Sequence, residues 1–185
     1  MKHLLLVLLM VFGSPLFAAD YLFDKTHTQM FFNVDHLGFS TSTGAFTGFE
    51  GGFSFDPDNV EQARVEVIIQ TSSIDLNDDK WNSHMRAAKW FDAEQFPTMT
   101  FKSTEVIKTG EKTMDMVGDF TLKGVTKPVI LKVVLNKIGQ QFGKDKIGFS
   151  ATVTIDRLDF GMDANAKLIG TQIPISIAVE GIKVP

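Results

Sequence analysis

The residues of this 185-residue chain whose types could carry chemistry are four histidines and a scatter of carboxylates. His3 falls in an apolar N-terminal stretch, which leaves His27, His36 and His84 as candidates for acid–base work or metal ligation. A metal site needs two or three ligands converging on one point. Asp24 and His27 are three apart, and on an extended strand that spacing sends them to opposite faces. The neighbours Asp35 and His36 diverge in the same way. No local spacing brings His27, His36 and His84 together. Asp156, Asp159 and Asp163 lack the spacing of a calcium loop and read as a solvated loop. Gly44-Ala45-Phe46-Thr47-Gly48 has glycines but no following helix, so it does not read as a phosphate cradle. No serine elbow, P-loop or dinucleotide fingerprint occurs. The absence of Cys excludes disulfides and thiolate metal sites. These residues point to binding rather than catalysis, with no metal and no cofactor expected. An enzyme using His36 or His84 beside a carboxylate such as Asp35 or Asp92 is the alternative, and a purely structural exported β-domain is a third reading.

The N-terminus reads as a leader. Lys2 precedes the apolar run Leu4 to Phe12, Gly13-Ser14-Pro15 breaks it, and Leu16-Phe17-Ala18-Ala19 offers a small-residue cleavage site. The run is shorter than the ~20 apolar residues of a membrane span. Residues 1–18 are therefore expected to be a cleaved signal peptide and 19–185 a single exported domain. The formal net charge is −4 and no basic run occurs, which suits neither nucleic acid nor anionic lipid heads as an electrostatic partner. Phe is the unusual component, with 17 against one Tyr and two Trp. That is more bare aromatic surface than a small polar-ligand site requires.

The elements that would position these side chains are mostly strands, because period-two runs succeed one another with turn chemistry between them. Tyr21 to Asp24 is a short extended piece. In Thr28 to Leu37, Met30, Phe32, Val34 and His36 share one face. In Phe46 to Asp56, Phe49, Gly51, Phe53 and Phe55 do so, with Gly48, Gly51 and Gly52 read as bends or bulges. Val67 and Ile69 follow, then Met99 and Phe101, then Met114, Met116, Gly118, Phe120 and Leu122. Val129, Leu131, Val133 and Leu135 form the next set. Phe149, Ala151 and Val153 come after, and Ile175 and Ile177 lie in the last run. Eight or nine strands joined by hairpin-length loops predict an all-β, eight-stranded antiparallel barrel, with a β-sandwich as runner-up. Pro174 places the last strand near an imperfect closure seam. Rings, glycines and flexible methionines on one face, with almost no charge, predict a long apolar tube.

Between Ile74 and Phe101 alone the apolar period turns helical. Trp81, His84, Met85, Ala88 and Phe91 recur at three- and four-residue steps. Asp78 and Asp79 suit the first turn and Lys89 the last, while Pro97 rules out continuation. One amphipathic helix among strands has to cover something, and an open end of the barrel is the expected place. Trp81 and Met85 then join the ligand-facing candidates, and the stretch Trp81 to Trp90 narrows or gates one mouth.

Six strings carry a resemblance. They are VDHLGFS (Val34 to Ser40), FDPDN (Phe55 to Asn59), SHMRAAKWFD (Ser83 to Asp92), FPTMTFKST (Phe96 to Thr104), VGDFTLKGVTKPV (Val117 to Val129) and GFSATVTIDRLDFG (Gly148 to Gly161). In this order and spacing they resemble the YceI-like periplasmic proteins over essentially the whole domain. The resemblance implies a lipocalin-like barrel whose internal tube accepts polyisoprenoid chains, such as isoprenoid quinones or their precursors, or similar amphiphiles. A periplasmic carrier of a long isoprenoid or acyl-chain lipid is the function it implies, with that lipid as partner and homodimerisation left open. The family has no known catalytic residues, so none is carried over. One departure stands out: where family members commonly show Arg-Asp before the helix histidine, this chain has Trp81-Asn82.

Overall fold

The described residues form eleven strand segments, most of them on alternating apolar residues, and the segments close on themselves as one antiparallel sheet. In the computed structural model, residues 18–185 are described; the expected leader, residues 1–18, lies outside them except for Ala18. Three of the eight staves are broken in two. The first is β1 (Ala19–Phe23) and β2 (Gln29–His36), the second β3 (Ser40–Phe46) and β4 (Phe49–Phe55), the third β5 (Arg64–Gln70) and β6 (Ile74–Asp75). The other five are continuous: β7 (Thr98–Lys108), β8 (Thr113–Leu122), β9 (Val125–Gln141), β10 (Lys144–Asp156) and β11 (Gln172–Lys183). Each stave pairs with the next in the chain, and β11 returns to both β1 and β2. A single closed sheet is a barrel, not the alternative sandwich.

Turn residues fix two hairpins tightly. Lys123-Gly124 and Phe142-Gly143 each have positive φ at both positions and each join strands across two residues, the twist-matched geometry of a two-residue hairpin. β9 runs well beyond the expected Val129 to Leu135. Its ends, VTKP and NKIGQQ, carry too few apolar residues to announce a strand. The strand β3 is missing altogether from the sequence reading, because STSTGAF shows an apolar residue only at its end. Gly51 has φ of 128° and its absent side chain would overlap the Glu66 carbonyl, so the tight approach of β4 to β5 requires glycine there.

The closure seam is imperfect where β1 gives way to β2. β11 pairs with β2 over Ile175–Ala178 and with β1 over Gly181–Lys183, leaving Val179 and Glu180 between the ladders. Thr28 repairs the gap. Its hydroxyl donates to the Glu180 carbonyl and accepts from the Glu180 N–H, both at 3.2 Å. Pro174, opposite Thr154, lies just before the β2 ladder begins. The turn at this break also corrects one expectation. Residues 25–27 leave the strand, so Asp24 and His27 do not diverge: His27 Nδ1 lies 2.9 Å from Asp24 Oδ2.

The barrel ends differ. One mouth is closed by the loop over residues 56–63, where Val60 and Ala63 are buried beside Phe55. The other mouth carries the β2–β3 hairpin, residues 76–97 and residues 157–171. The helix there, α1 (Asp79–Arg86), starts where expected: Asp78 Oδ1 accepts from the Trp81 N–H at 2.7 Å. It stops sooner. Ala88, Lys89 and Phe91 fall past its end, and hydrogen bonds such as Ala93 N–H to the Arg86 carbonyl at 2.9 Å continue the path as turns. Trp90 and Phe91 are both buried, and leaving helical geometry lets two consecutive rings face the mouth. Among the described residues no helix is long and apolar enough to cross a membrane.

Candidate functional site

The barrel interior is hollow, with a cavity of about 430 Å³, within the ~300–1,000 Å³ usual for small-molecule sites. The structure brings the nominated residues together around it from every stave. β2 contributes Met30, Phe32, Val34 and His36, β4 Phe53, β5 Val67 and Ile69, and α1 Trp81 and Met85. Met99 and Phe101 come from β7, Met116 and Phe120 from β8, Leu131 and Val133 from β9, Phe149, Ala151 and Val153 from β10, and Ile175 and Ile177 from β11. Phe49 is the exception. It is buried edge-on against Phe23, with ring centroids 6.0 Å apart, and does not reach the cavity.

What keeps the tube open is ring placement. A Cβ at Gly44 would overlap the ring of Phe32, one at Gly118 the ring of Phe101, and one at Gly181 the ring of Phe53. Each of these three phenylalanines therefore lays its ring over a glycine, that of the adjacent stave for Phe32 and Phe101 and that of β11, across β1, for Phe53. The gaps that rings and glycines leave together are real space.

Polarity inside the tube is segregated. His36, Ser42, His84, Arg157 and Asn165 line it at the α1 mouth, and Ser54 with Arg64 at the far end; among the described residues no Asp or Glu lines it. Arg157 is among the lining residues that sequence reasoning missed, although it stands inside the string TIDRLDFG. It is 3% exposed. Its Nε donates to the Gly170 carbonyl at 2.9 Å, its Nη2 to Ile169 at 3.0 Å, and its Nη1 to Met162. Its guanidinium carbon stands 5.7 Å from the centre of the Trp90 ring, and Trp90 Nε1 donates to His84 Nε2 at 2.9 Å. Burial pushes the Arg157 pKa down, against the opposing effect of Asp156 and Asp163. Among the described residues it joins no ion pair. The expected near-absence of inward charge is thus corrected by two arginines.

At the mouth itself, His36 meets Trp81 edge-on, with centroids 5.9 Å apart. Trp81 remains 38% exposed, and the buried residue of α1 is Asn82, whose Oδ1 accepts from the Leu76 N–H at 2.7 Å. Neither His36 nor His84 forms an ion pair with a carboxylate among the described residues, and Asp35 Oδ1 instead accepts from the Gly38 N–H. The acid–base pairings the enzyme reading called on are therefore not assembled.

Two features lie outside the lumen. Asp24, His27 and Glu180 bring their ligand atoms within 4.8 Å of one another. Lys146 already supplies the cation there, with Nζ 2.9 Å from Asp24 and 2.5 Å from Glu180. The Lys146 hydrogen bond, then that of His27, holds the Asp24 carboxyl down at about 2. The second feature is a groove of about 620 Å³ between β9 and β10. Their ladder ends at Thr152 opposite Lys132, and beyond it the two strands have no mutual register. Phe160 packs into the split, edge-on to Phe120. Val129, Val153, Ile155 and Ile175 line both the groove and the cavity, so the wall there is one side chain thick.

Comparison with known proteins converges on one group. A YceI-like domain matches residues 21–181. A UPF0312 protein of Ectopseudomonas mendocina is 37% identical over 174 residues, covering 92% of this chain and 91% of the relative. Among solved structures, BcnA of Burkholderia cenocepacia superposes with a TM-score of 0.79 at 22% identity, over 85% of this chain and 98% of that one. A polyisoprenoid binding domain from Saccharophagus degradans superposes with a TM-score of 0.71 at 17% identity, over 90% and 99%. At those identities the two structures speak for the barrel alone.

Proposed function

This chain belongs to the YceI-like family, and on that premise we propose that it is a periplasmic carrier holding a long isoprenoid or acyl-chain lipid, of the isoprenoid quinone or precursor class, in its barrel without catalysing a reaction. The observation that carries this reading is the hollow, Phe- and Met-lined interior. Each methylene buried there contributes roughly 0.8 kcal/mol, so about ten already correspond to a micromolar dissociation constant before the costs of ordering the tail. No specific polar contact is needed for such affinity. The hydrophobic leader ending near Ala18 supports export, and the mass of the secreted chain, starting at Ala19, checks it.

Solvent extraction of protein purified without detergent, followed by mass spectrometry, tests the cargo. A stoichiometric long-chain lipid is the expected extract. An extract without lipid, from protein that also takes up no long-chain amphiphile in vitro, overturns the proposal.

A further inference from the structure

We infer that the head group of the bound lipid is anionic and is received at the α1 mouth, against Arg157. This rests on the lipid-carrying reading above and names the chemistry of the cargo's polar end.

The wall of the tube is ordered from end to end. At the far mouth the lining is Phe53, Phe55 and Ala63 under a closed loop, which has nothing to offer a polar group except Ser54 and Arg64. Arg64 is exposed, and its Nη1 is spent on the carbonyls of Ala63 and Glu61 at 2.6 and 3.1 Å. Histidines, a serine, an asparagine and Arg157 gather instead at the α1 mouth. An amphiphile placed in this tube therefore buries its tail toward the closed end and leaves its head among those groups.

The sign of the head follows from charge. Burying a guanidinium is costly unless it is paired and hydrogen-bonded. Arg157 is buried, always charged, and carries five N–H donors in a fixed fork. Three of its nitrogens are engaged by neutral backbone carbonyls. That satisfies geometry and supplies no counter-charge. Asp156 and Asp163 attract it without pairing with it, and among the described residues no carboxylate lines the cavity, so a carboxylate or phosphate on the ligand is the anion that would pair with it. Such charge-assisted bonds are about twice as strong as neutral ones. His84 adds to the selection. With Nε2 accepting from Trp90, its other ring nitrogen is the protonated one and can only donate. A cationic head would meet a buried cation and a donor, and a hydroxyl head would leave the charge unmatched.

The test compares heads on one tail. Palmitate, hexadecyl phosphate, hexadecanol and hexadecylamine compete for a neutral naphthylamine dye bound to the intact secreted protein. The two anions are expected to bind about ten-fold more tightly than the alcohol, with the amine weakest. Arg157→Gln is expected to abolish the preference and Arg157→Lys to retain part of it. The wild-type ranking carries the inference even where Arg157→Gln fails to fold. A second readout locates the head. The chain has two tryptophans, so Trp81→Phe leaves Trp90, beside Arg157, as the sole reporter. Its emission is expected to shift with palmitate and to shift less with hexadecanol. Equal displacement by all four heads, or preference for the amine, overturns the anionic head and leaves lipid carriage standing. Displacement by none of them overturns both.

Discussion

If glycines under the rings hold the lumen open, then adding one methyl at Gly44 should close part of it. Phe32 and Gly44 are direct partners across β2 and β3. A Cβ on residue 44 would stand 2.7 Å from Phe32 Cε1 and 2.9 Å from Leu76 Cδ2, and nearer still to Phe32 Cζ. Carbon atoms prefer about 3.5–4.0 Å, so the ring must retreat by about 1 Å, and the only free direction is the lumen. The neighbours resist. Phe32 leans on Phe46 with centroids 5.6 Å apart, and Phe46 meets Phe91 edge-on at 5.5 Å, so the strain runs toward the α1 mouth. Overpacking of this kind costs about 1–3 kcal/mol, and for a chain of this size each kcal/mol lowers Tm by about 2–4 °C. Affinity should suffer as well, by about four-fold for each tail methylene the ring displaces. Gly44→Ala, Phe32→Leu and the double variant would be compared by thermal melting and by dye displacement with C12 to C18 fatty acids. The double variant is expected to regain most of the stability lost by Gly44→Ala, and to restore the long-chain preference. Were Gly44→Ala to bind C18 acid as wild type does, the claim that rings folded onto glycine set the bore would be wrong.

Trp81→Ala should remove half of the His36–Trp81 contact and open the mouth; stopped-flow release of the bound dye is expected to quicken while Tm changes little, since Trp81 is already 38% exposed. Asn82→Ala should leave the half-buried Leu76 N–H without its partner and cost about 0.5–1.5 kcal/mol in urea unfolding. Asp24 has its carboxyl held down at about 2 by Lys146 and His27, so its contribution to stability is full above the unfolded value near 3.9 and is lost as pH falls toward 2. Thermal melts across that window should therefore show wild type losing its advantage over Asp24→Asn, with the curves meeting near pH 2. With Lys146 seated between Asp24 and Glu180, added Zn²⁺ should leave the Tm of wild type unchanged and raise that of Lys146→Ala.

Strands with alternating apolar residues were legible from sequence because burial on one face leaves a period of two. The five continuous staves and the inward faces of β2, β5 and β8 follow from that alone. β3 did not, since its inward positions are Ser42, Gly44 and Phe46, and a glycine that seats a ring carries no hydrophobic signal of its own. The break between β1 and β2 was equally hidden. Sequence spacing alone gives Asp24 and His27 strand geometry, and only the pairing of Glu180 with Thr28, 152 residues apart, shows why the chain leaves the ladder there. Arg157 escaped for a different reason. Period-two reading looks for apolar residues facing inward, and an arginine turned inward after the end of a strand looks like one more surface charge.

The broken staves and the hollow bore have a common cause. A barrel of eight strands is near the size at which side chains alone fill the interior, so holding space open requires that large inward residues be kept off the axis. Phe32, Phe53 and Phe101 manage this by lying on glycines, and glycine gives a strand no side chain to pack. Two of those three glycines, Gly44 and Gly181, fall on staves flanking the β1–β2 break, and the third, Gly118, sits beside the register shift of β7 at Ser103 to Glu105. The ladder is therefore irregular where the bore is widened. Repairs from outside compensate: Thr28 bonds across the seam, and Lys146 ties Asp24 to Glu180 over it. On this reasoning the exterior cluster is part of what keeps the interior empty. Weakening it should loosen the seam before it alters the lining, and Lys146→Ala should raise amide exchange in β1 and the C-terminal half of β11 while leaving that of β7 and β8 unchanged.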